Sequence, residues 1–383
     1  TLDSSGDRAD NDRVGVGGTV RISDRLTLSS EVSTGERGFG AQVGGEFQRT
    51  DATSHYLTYG LDPDRTDIGY RGRQGQLTAG TRYRFNDSGT IFTEHQLRHG
   101  DGPSSLVRAF GLDYSLTEQW TLGARGEFGR VTDPLSGELK RRAIGGSVGY
   151  HEEGVNLAAS LEYRHETGTA GERETWLLRS NVSHTLDQDW RFLGRLNTSF
   201  SNAADDFLDG EFIEAVTGFA YRPVEHDDVN MLFRYRYFYD LPSPGQLTDF
   251  NLVPDYAQRS HILSADATWD LLEWLSIGGK VALKSGEIRG SRVDGPWIDS
   301  DTVLGIGRLD LHITHQWDAM LEGRVLDISG ADDRRAGILI GIYRHLGANA
   351  KFGLGYNFTD FSDDLTDLDY DNQGLFFNLI GKF

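Results

Sequence analysis

The chain has 383 residues, a formal net charge of −20 and no Cys. That charge excludes nucleic acid as a partner, because phosphate binding needs a basic surface. The missing Cys excludes disulfide frameworks and thiolate metal sites. Hydrophobic residues make up only 37%, which is lean for one large soluble core. The longest apolar run, near 337–343, falls far short of the ~20 residues of a membrane helix, so any membrane crossing must be made by strands.

Residues 1–12 form a polar N-terminal segment. From 13–22 onward one unit repeats: about ten residues of period-two alternation, a short polar turn, a second such stretch and a longer polar loop. In 120–130, Trp120, Leu122, Ala124, Gly126 and Phe128 share one face, while Thr121, Gly123, Arg125 and Glu127 share the other. In 231–239, Met231, Phe233, Tyr235, Tyr237 and Tyr239 oppose Arg234 and Arg236; in 317–325, Leu321 and Val325 oppose Glu322 and Arg324. One face suits lipid and the other water. Short turns fall at 23–25, 86–89, 117–119, 187–189 and 314–316. Trp120, Trp190 and Trp317 follow turns directly, and Trp274 follows Leu272 and Glu273. Indole at a fixed point after a turn is what an interfacial aromatic girdle requires. Long connections at 61–73, 132–138, 202–210, 240–256, 286–301 and 361–371 alternate with the short ones, the pattern of tight periplasmic turns and longer outer loops. The pattern predicts an all-β fold over 13–383, a transmembrane antiparallel β-barrel of about 20–22 strands in the outer membrane of a Gram-negative cell. The count comes to about 21 where an even number is the rule, so either the count is off by one or, as is favoured, one further strand lies upstream of Thr1.

The last stretch closes on Leu375, Phe377, Leu379, Gly381 and Phe383, an apolar stripe broken only by Gly. A terminal Phe on such a stripe resembles the signal read by the barrel assembly machinery. Further segments carry a wider resemblance: Gly60-Leu61-Asp62-Pro63-Asp64-Arg65-Thr66-Asp67, Ala220-Tyr221-Arg222-Pro223-Val224, Tyr343-Arg344-His345-Leu346-Gly347, and the run from Gly355 to Leu368. Together they resemble the C-terminal outer-membrane barrel region of large proteobacterial surface proteins, of the OmpA-family or TonB-dependent-receptor-like kind. The resemblance implies location and architecture, and brings no catalytic residue with it.

Candidate chemistry is sparse. Gly145-Gly146-Ser147-Val148-Gly149 matches a nucleophile elbow but lies in a strand pattern, not at the strand-to-helix turn that motif needs. Acidic clusters at Asp205, Asp206 and Asp209, at Asp332 and Asp333, and at Asp360, Asp363, Asp364, Asp367, Asp369 and Asp371 read as solvated outer loops without the spacing of a Ca²⁺ loop. His151-Glu152-Glu153 and His226-Asp227-Asp228 read as turn chemistry. No enzyme, cofactor or metal is expected. The candidate pore lining is Arg82, Arg84, Arg125, Glu127, Arg191, Arg195, Arg234, Arg236, Arg308, Asp310, Glu322 and Arg324, with Glu162 and Arg164 on the same face. Two roles fit such rows: an anion-favouring pore, or Arg and Glu neighbours that cancel across strands. A barrel of this size is too wide to be filled by its own side chains, and no loop is long enough to seal it alone. The leading expectation is a porin-like conduit or scaffold belonging to a larger surface protein or assembly. A TonB-dependent-type uptake barrel lacking its plug, or a passive anchor for displayed domains, are the alternatives. Expected partners are outer-membrane lipid and lipopolysaccharide, the assembly machinery, and a plug domain or partner subunit in the lumen.

Overall fold

The computed structural model describes residues 13–381, apart from 36–38, 63–73, 101–103, 134–136, 170, 205–208, 226–227, 242–255, 293, 330–332, 348–349, 360, 362–364 and 366–373. The described residues form one antiparallel sheet. Its strands are β1 (Arg13–Ser23), β2 (Leu26–Gly35), β3 (Gly40–Thr50), β4 (Thr53–Asp62), β5 (Gln74–Arg84), β6 (Gly89–Gly100) and β7 (Ser104–Ser115). There follow β8 (Trp120–Asp133), β9 (Gly137–Glu152), β10 (Val155–Gly168), β11 (Gly171–Thr185), β12 (Trp190–Ala203), β13 (Gly210–Tyr221) and β14 (Val229–Leu241). The remainder are β15 (Ala257–Leu272), β16 (Leu275–Arg289), β17 (Ile298–Asp299), β18 (Thr302–Thr314), β19 (Trp317–Ile328), β20 (Asp333–His345), β21 (Ala350–Asn357) and β22 (Gly374–Gly381). Of these 22, β17 is a two-residue strand on the end of β16, and the other 21 run 8 to 16 residues. Each long strand pairs with the next in chain order, β16 passing to β18. The architecture is a large antiparallel β-barrel.

Local chemistry fixes the tight turns. Asp187 Oδ1 accepts the backbone N–H groups of Asp189 and Trp190, each at 2.8 Å. Thr117 Oγ1 accepts those of Gln119 and Trp120 at 3.2 and 3.1 Å. Such side-chain turns end one strand and launch the next with a Trp at its first position. Trp120 then meets Tyr150 at 4.7 Å between ring centroids, and Trp190 meets Tyr221 at 4.8 Å. Both pairs lie on the lipid-facing side at the short-turn end, which is the periplasmic end.

Alternation sorts the two faces. Ile144 is 67% exposed, Leu321 44% and Phe377 50%, all on the outer face; their chain neighbours face inward. Many of the 48 Gly lie under rings. Tyr56 lies over Gly80, Phe92 over Gly111, Phe110 over Gly126, Tyr343 over Gly353 and Phe376 over Gly355, each ring covering the glycine directly opposite in register. A glycine leaves the room that a flat ring needs, and the ring shields its bare backbone. At the ends of the sheet, β1 and β22 run in the same direction and do not pair with each other among the described residues.

Candidate functional site

The inner face carries a repeated charge motif built across neighbouring strands. On β10, Glu166 is 1% exposed and held between Arg141 of β9 and Arg173 of β11. Arg141 Nε reaches Glu166 Oε1 at 2.6 Å, and Arg173 Nε reaches Oε2 at 2.8 Å. On β13, Glu214 Oε1 takes Arg195 of β12 at 2.8 Å and Arg236 of β14 at 2.9 Å. On β19, Glu322 takes Arg308 of β18 at 2.9 Å and Arg324 of its own strand at 2.5 Å. Each carboxylate is clamped by two guanidinium groups whose forked donors suit it, and each clamp retains one positive charge.

All twelve expected lining residues lie on this inner face by register. Arg195, Arg236, Arg308, Glu322 and Arg324 belong to the clamps. Arg125 and Arg141 both approach Glu127, at 3.8 and 3.9 Å. Arg82 lies over the Tyr56 ring at 4.6 Å, and Arg84 donates to the Asp51 carbonyl at 3.0 Å. Arg191 and Arg234 have no carboxylate partner among the described residues, and Asp310 shares the face with Arg308. Arg164 pairs with Glu162 at 2.7 Å. Two clamp centres, Glu166 and Glu214, were absent from the sequence-derived lining. Glu166 shares parity with Glu162 and Arg164, a signal that could have found it; Glu214 lies in β13, where both faces are mixed.

Among the described residues, loop segments reach the inner wall beside β15 to β20. Beyond β21, Thr359 is fully buried, and a Cβ at Gly337 of β20 would meet it. Phe361 and Leu365, 3% and 8% exposed, pack on Ile262 of β15, Ala282 of β16, Leu304 of β18 and Leu326 of β19. Those four residues face inward, so the outer loop after β21 is anchored to the inner wall. Arg292, in the loop after β16, is buried, and its guanidinium donates to the Asp209 carbonyl in the loop after β12. Near it, Arg259 and Arg289 lie over Trp297 at 4.4 and 5.0 Å.

At the periplasmic end of the inner face, His312, Asp318 and His345 bring their ligand atoms within 4.8 Å of one another. Asp318 lies opposite His312 across β18 and β19. Lys351 of β21 places its ammonium on the same carboxylate, which supplies there the positive charge that a metal would bring. The cluster ties β18 to β21. Ser147 sits mid-strand in β9, opposite Ser160, with no turn to expose it. His151 bonds Asn156 at the β9–β10 turn. Asp209 Oδ1 caps the Ala203 N–H at 2.6 Å, and Asp333 pairs with Arg335 at 2.8 Å. Asp205, Asp206, His226, Asp227, Asp332, Asp360, Asp363, Asp364, Asp367, Asp369 and Asp371 lie outside the described residues. In the expected assembly signal, Leu375 and Phe377 project onto the lipid face; Phe383 lies outside the described residues.

Solved structures with the same wall decide where such a sheet resides. A point mutant of the ferric enterobactin receptor PfeA from Pseudomonas aeruginosa matches with a TM-score of 0.57 at 11% identity, covering 100% of this chain and 79% of that one. The siderophore receptor PirA from the same organism matches at 0.56 and 11%, covering 100% and 78%. The FrpB iron transporter from Neisseria meningitidis matches at 0.54 and 10%, covering 97% and 79%. The chain is an outer-membrane β-barrel. At such identities the likeness concerns the fold. No family model and no curated protein matches the sequence. The receptor-like half of the expected resemblance therefore has structural counterparts, while no family model or curated sequence supports the OmpA-family and large-surface-protein half.

Proposed function

We propose that this barrel is a porin-like transmembrane conduit and scaffold, the membrane part of a larger surface protein or assembly. One observation carries the reading. Arg82, Arg84, Arg125, Arg191 and Arg195 face inward from β5, β8 and β12 and are nevertheless exposed. The wall in that sector is therefore uncovered by other described parts of the chain, while inserted loop segments occupy the sector from β15 to β20. The clamps each leave one positive charge, and Arg191 and Arg234 add two more, which supports a modest anion preference. Outer-membrane lipid, lipopolysaccharide and the barrel assembly machinery are the surrounding partners of this reading, and a plug domain or partner subunit is the candidate occupant of the lumen. It includes no reaction and no cofactor.

A second reading has its own support: an uptake barrel of the TonB-dependent type, whose separate plug fills the same sector. The likeness over 100% of this chain to a ferric enterobactin receptor favours it. Single-channel recording of the purified, inserted chain in a planar bilayer separates the two readings from each other and from a passive anchor. A steady conductance in 1 M salt with a small anion preference, reduced in Arg191→Ser/Arg234→Ser, is the expected result. A silent bilayer with folded protein would overturn the open conduit. Conductance abolished by adding a separate plug domain in trans would favour the uptake barrel.

A further inference from the structure

The lipid-facing surface carries a local group of cations on neighbouring strands. On the outer face of β7 to β9, near the outer-loop end, Arg108, Arg130, Lys140 and Arg142 project together. Register puts Arg108 opposite Phe128 and Phe128 opposite Arg142, while Arg130 faces Lys140. With strands ~4.8 Å apart, Arg108 and Arg142 lie about 10 Å apart, with Phe128 between them. Phe128, Arg130, Lys140, Arg142, His165 and Thr167 line a shallow depression there. Three acids border it: Glu138 approaches Arg130 at 3.4 Å, Glu172 approaches His165 at 3.9 Å, and Glu174, opposite His165 in register, accepts from the Tyr163 hydroxyl at 2.9 Å. Arg108, Lys140 and Arg142 have no carboxylate partner among the described residues.

Height gives the patch its meaning. Trp120 and Tyr150 form the periplasmic girdle, and Arg130 and Lys140 lie ten residues away along β8 and β9. At ~3.3 Å per residue and a tilt of ~40°, that is about 25 Å along the membrane normal, the height of a barrel's apolar band. Arg130 and Lys140 therefore stand at the headgroup plane of the outer leaflet, and Arg108 and Arg142 about 5 Å below it, within reach of it by their long side chains. Directly beneath them an apolar trough runs over Ile144, Gly146, Ala159, Leu161 and Trp176, where small residues at Gly146 and Ala159 leave a channel between larger side chains.

We propose that this face binds one phosphorylated lipid of the outer leaflet, of the lipopolysaccharide class, with phosphate on Arg108, Lys140 and Arg142 and an acyl chain in the trough. Paired, forked donors over a fixed apolar groove recognise a headgroup and a tail together. The inference rests on outer-membrane placement and is independent of whether the lumen conducts.

Native mass spectrometry of the folded barrel tests it, with bisphosphorylated lipid A, the same lipid without phosphates, and inorganic pyrophosphate as competitor. Each surface cation contributes roughly 1 kcal/mol to anionic-lipid attraction. Arg108→Ser/Lys140→Ser/Arg142→Ser should therefore hold lipid A about a hundredfold more weakly, with heat-modifiability and conductance unchanged. Should the triple variant not fold, Arg142→Ser alone should lower retention about fivefold, losing more than any one of three serine substitutions on the opposite lipid face. Equal retention by variant and wild type, or equal binding of the two lipids, would overturn the proposal. Displacement of the lipid by pyrophosphate at matched concentration would also overturn it, assigning the patch to a soluble anion instead.

Discussion

Glu166 shows how single residues set the wall's stability. Its carboxylate is almost fully enclosed and satisfied by two guanidinium groups. Removing its charge leaves Arg173 facing Arg141 with only the longer Arg141–Glu127 contact, at 3.9 Å, to offset them. Breaking a buried pair from one side costs about 3–5 kcal/mol, whereas exposed pairs are worth little. Glu166→Gln should therefore lower the urea midpoint of unfolding markedly. The exposed pair Arg130 and Glu138, with side chains 71% and 58% exposed, should tolerate Glu138→Gln with almost no change. Equal effects of the two substitutions would show that the clamp is not structural. The same scale divides the two roles foreseen for the arginines. Arg195, Arg236, Arg308 and Arg324 are engaged by carboxylates, as the cancelling role requires, while Arg191 and Arg234 remain the ones suited to acting on ions.

At the scale of elements, the loop after β21 is the part that changes the channel's shape. Phe361 and Leu365 lie in an apolar recess of the inner wall formed by four strands. That recess is an apolar patch on a face rich in Arg, Glu, Ser and Gly. Phe361→Asp places a charge in the recess, and burial of an unpaired carboxylate is unfavourable enough to expel it. The variant should insert normally and show a larger single-channel conductance, since the loop no longer narrows the sector next to β18 and β19. An unchanged conductance would mean that the anchored segment stays clear of the ion path. The hairpins themselves need no such contacts: Asx and Ser/Thr turns set their length, and period-two alternation sets their facing.

The whole molecule combines a basic inner wall with a strongly acidic remainder, the net charge being −20. The screening length is ~3 Å in 1 M salt and ~30 Å in 0.01 M. Ions in concentrated salt sense only the nearest arginines, while in dilute salt they sense the entire chain. Reversal potentials should accordingly shift toward cations as salt is lowered, and a selectivity independent of salt would contradict this division of charge. Much of the design follows from local order. Alternation in segments such as Trp120–Asp133 states which residues meet lipid, and turn chemistry states where each strand begins. The sequence by itself thus determined the all-β barrel class, its range of about 20–22 strands and the alternation of its faces, because a period of two and a short polar turn are properties of neighbours in the chain. Only the tertiary structure decided that Glu166 meets Arg141 and Arg173, that Phe361 turns inward, and that four outward cations gather above an apolar trough. Each of those depends on cross-strand register and on surfaces assembled from separate strands, which no short stretch of sequence contains.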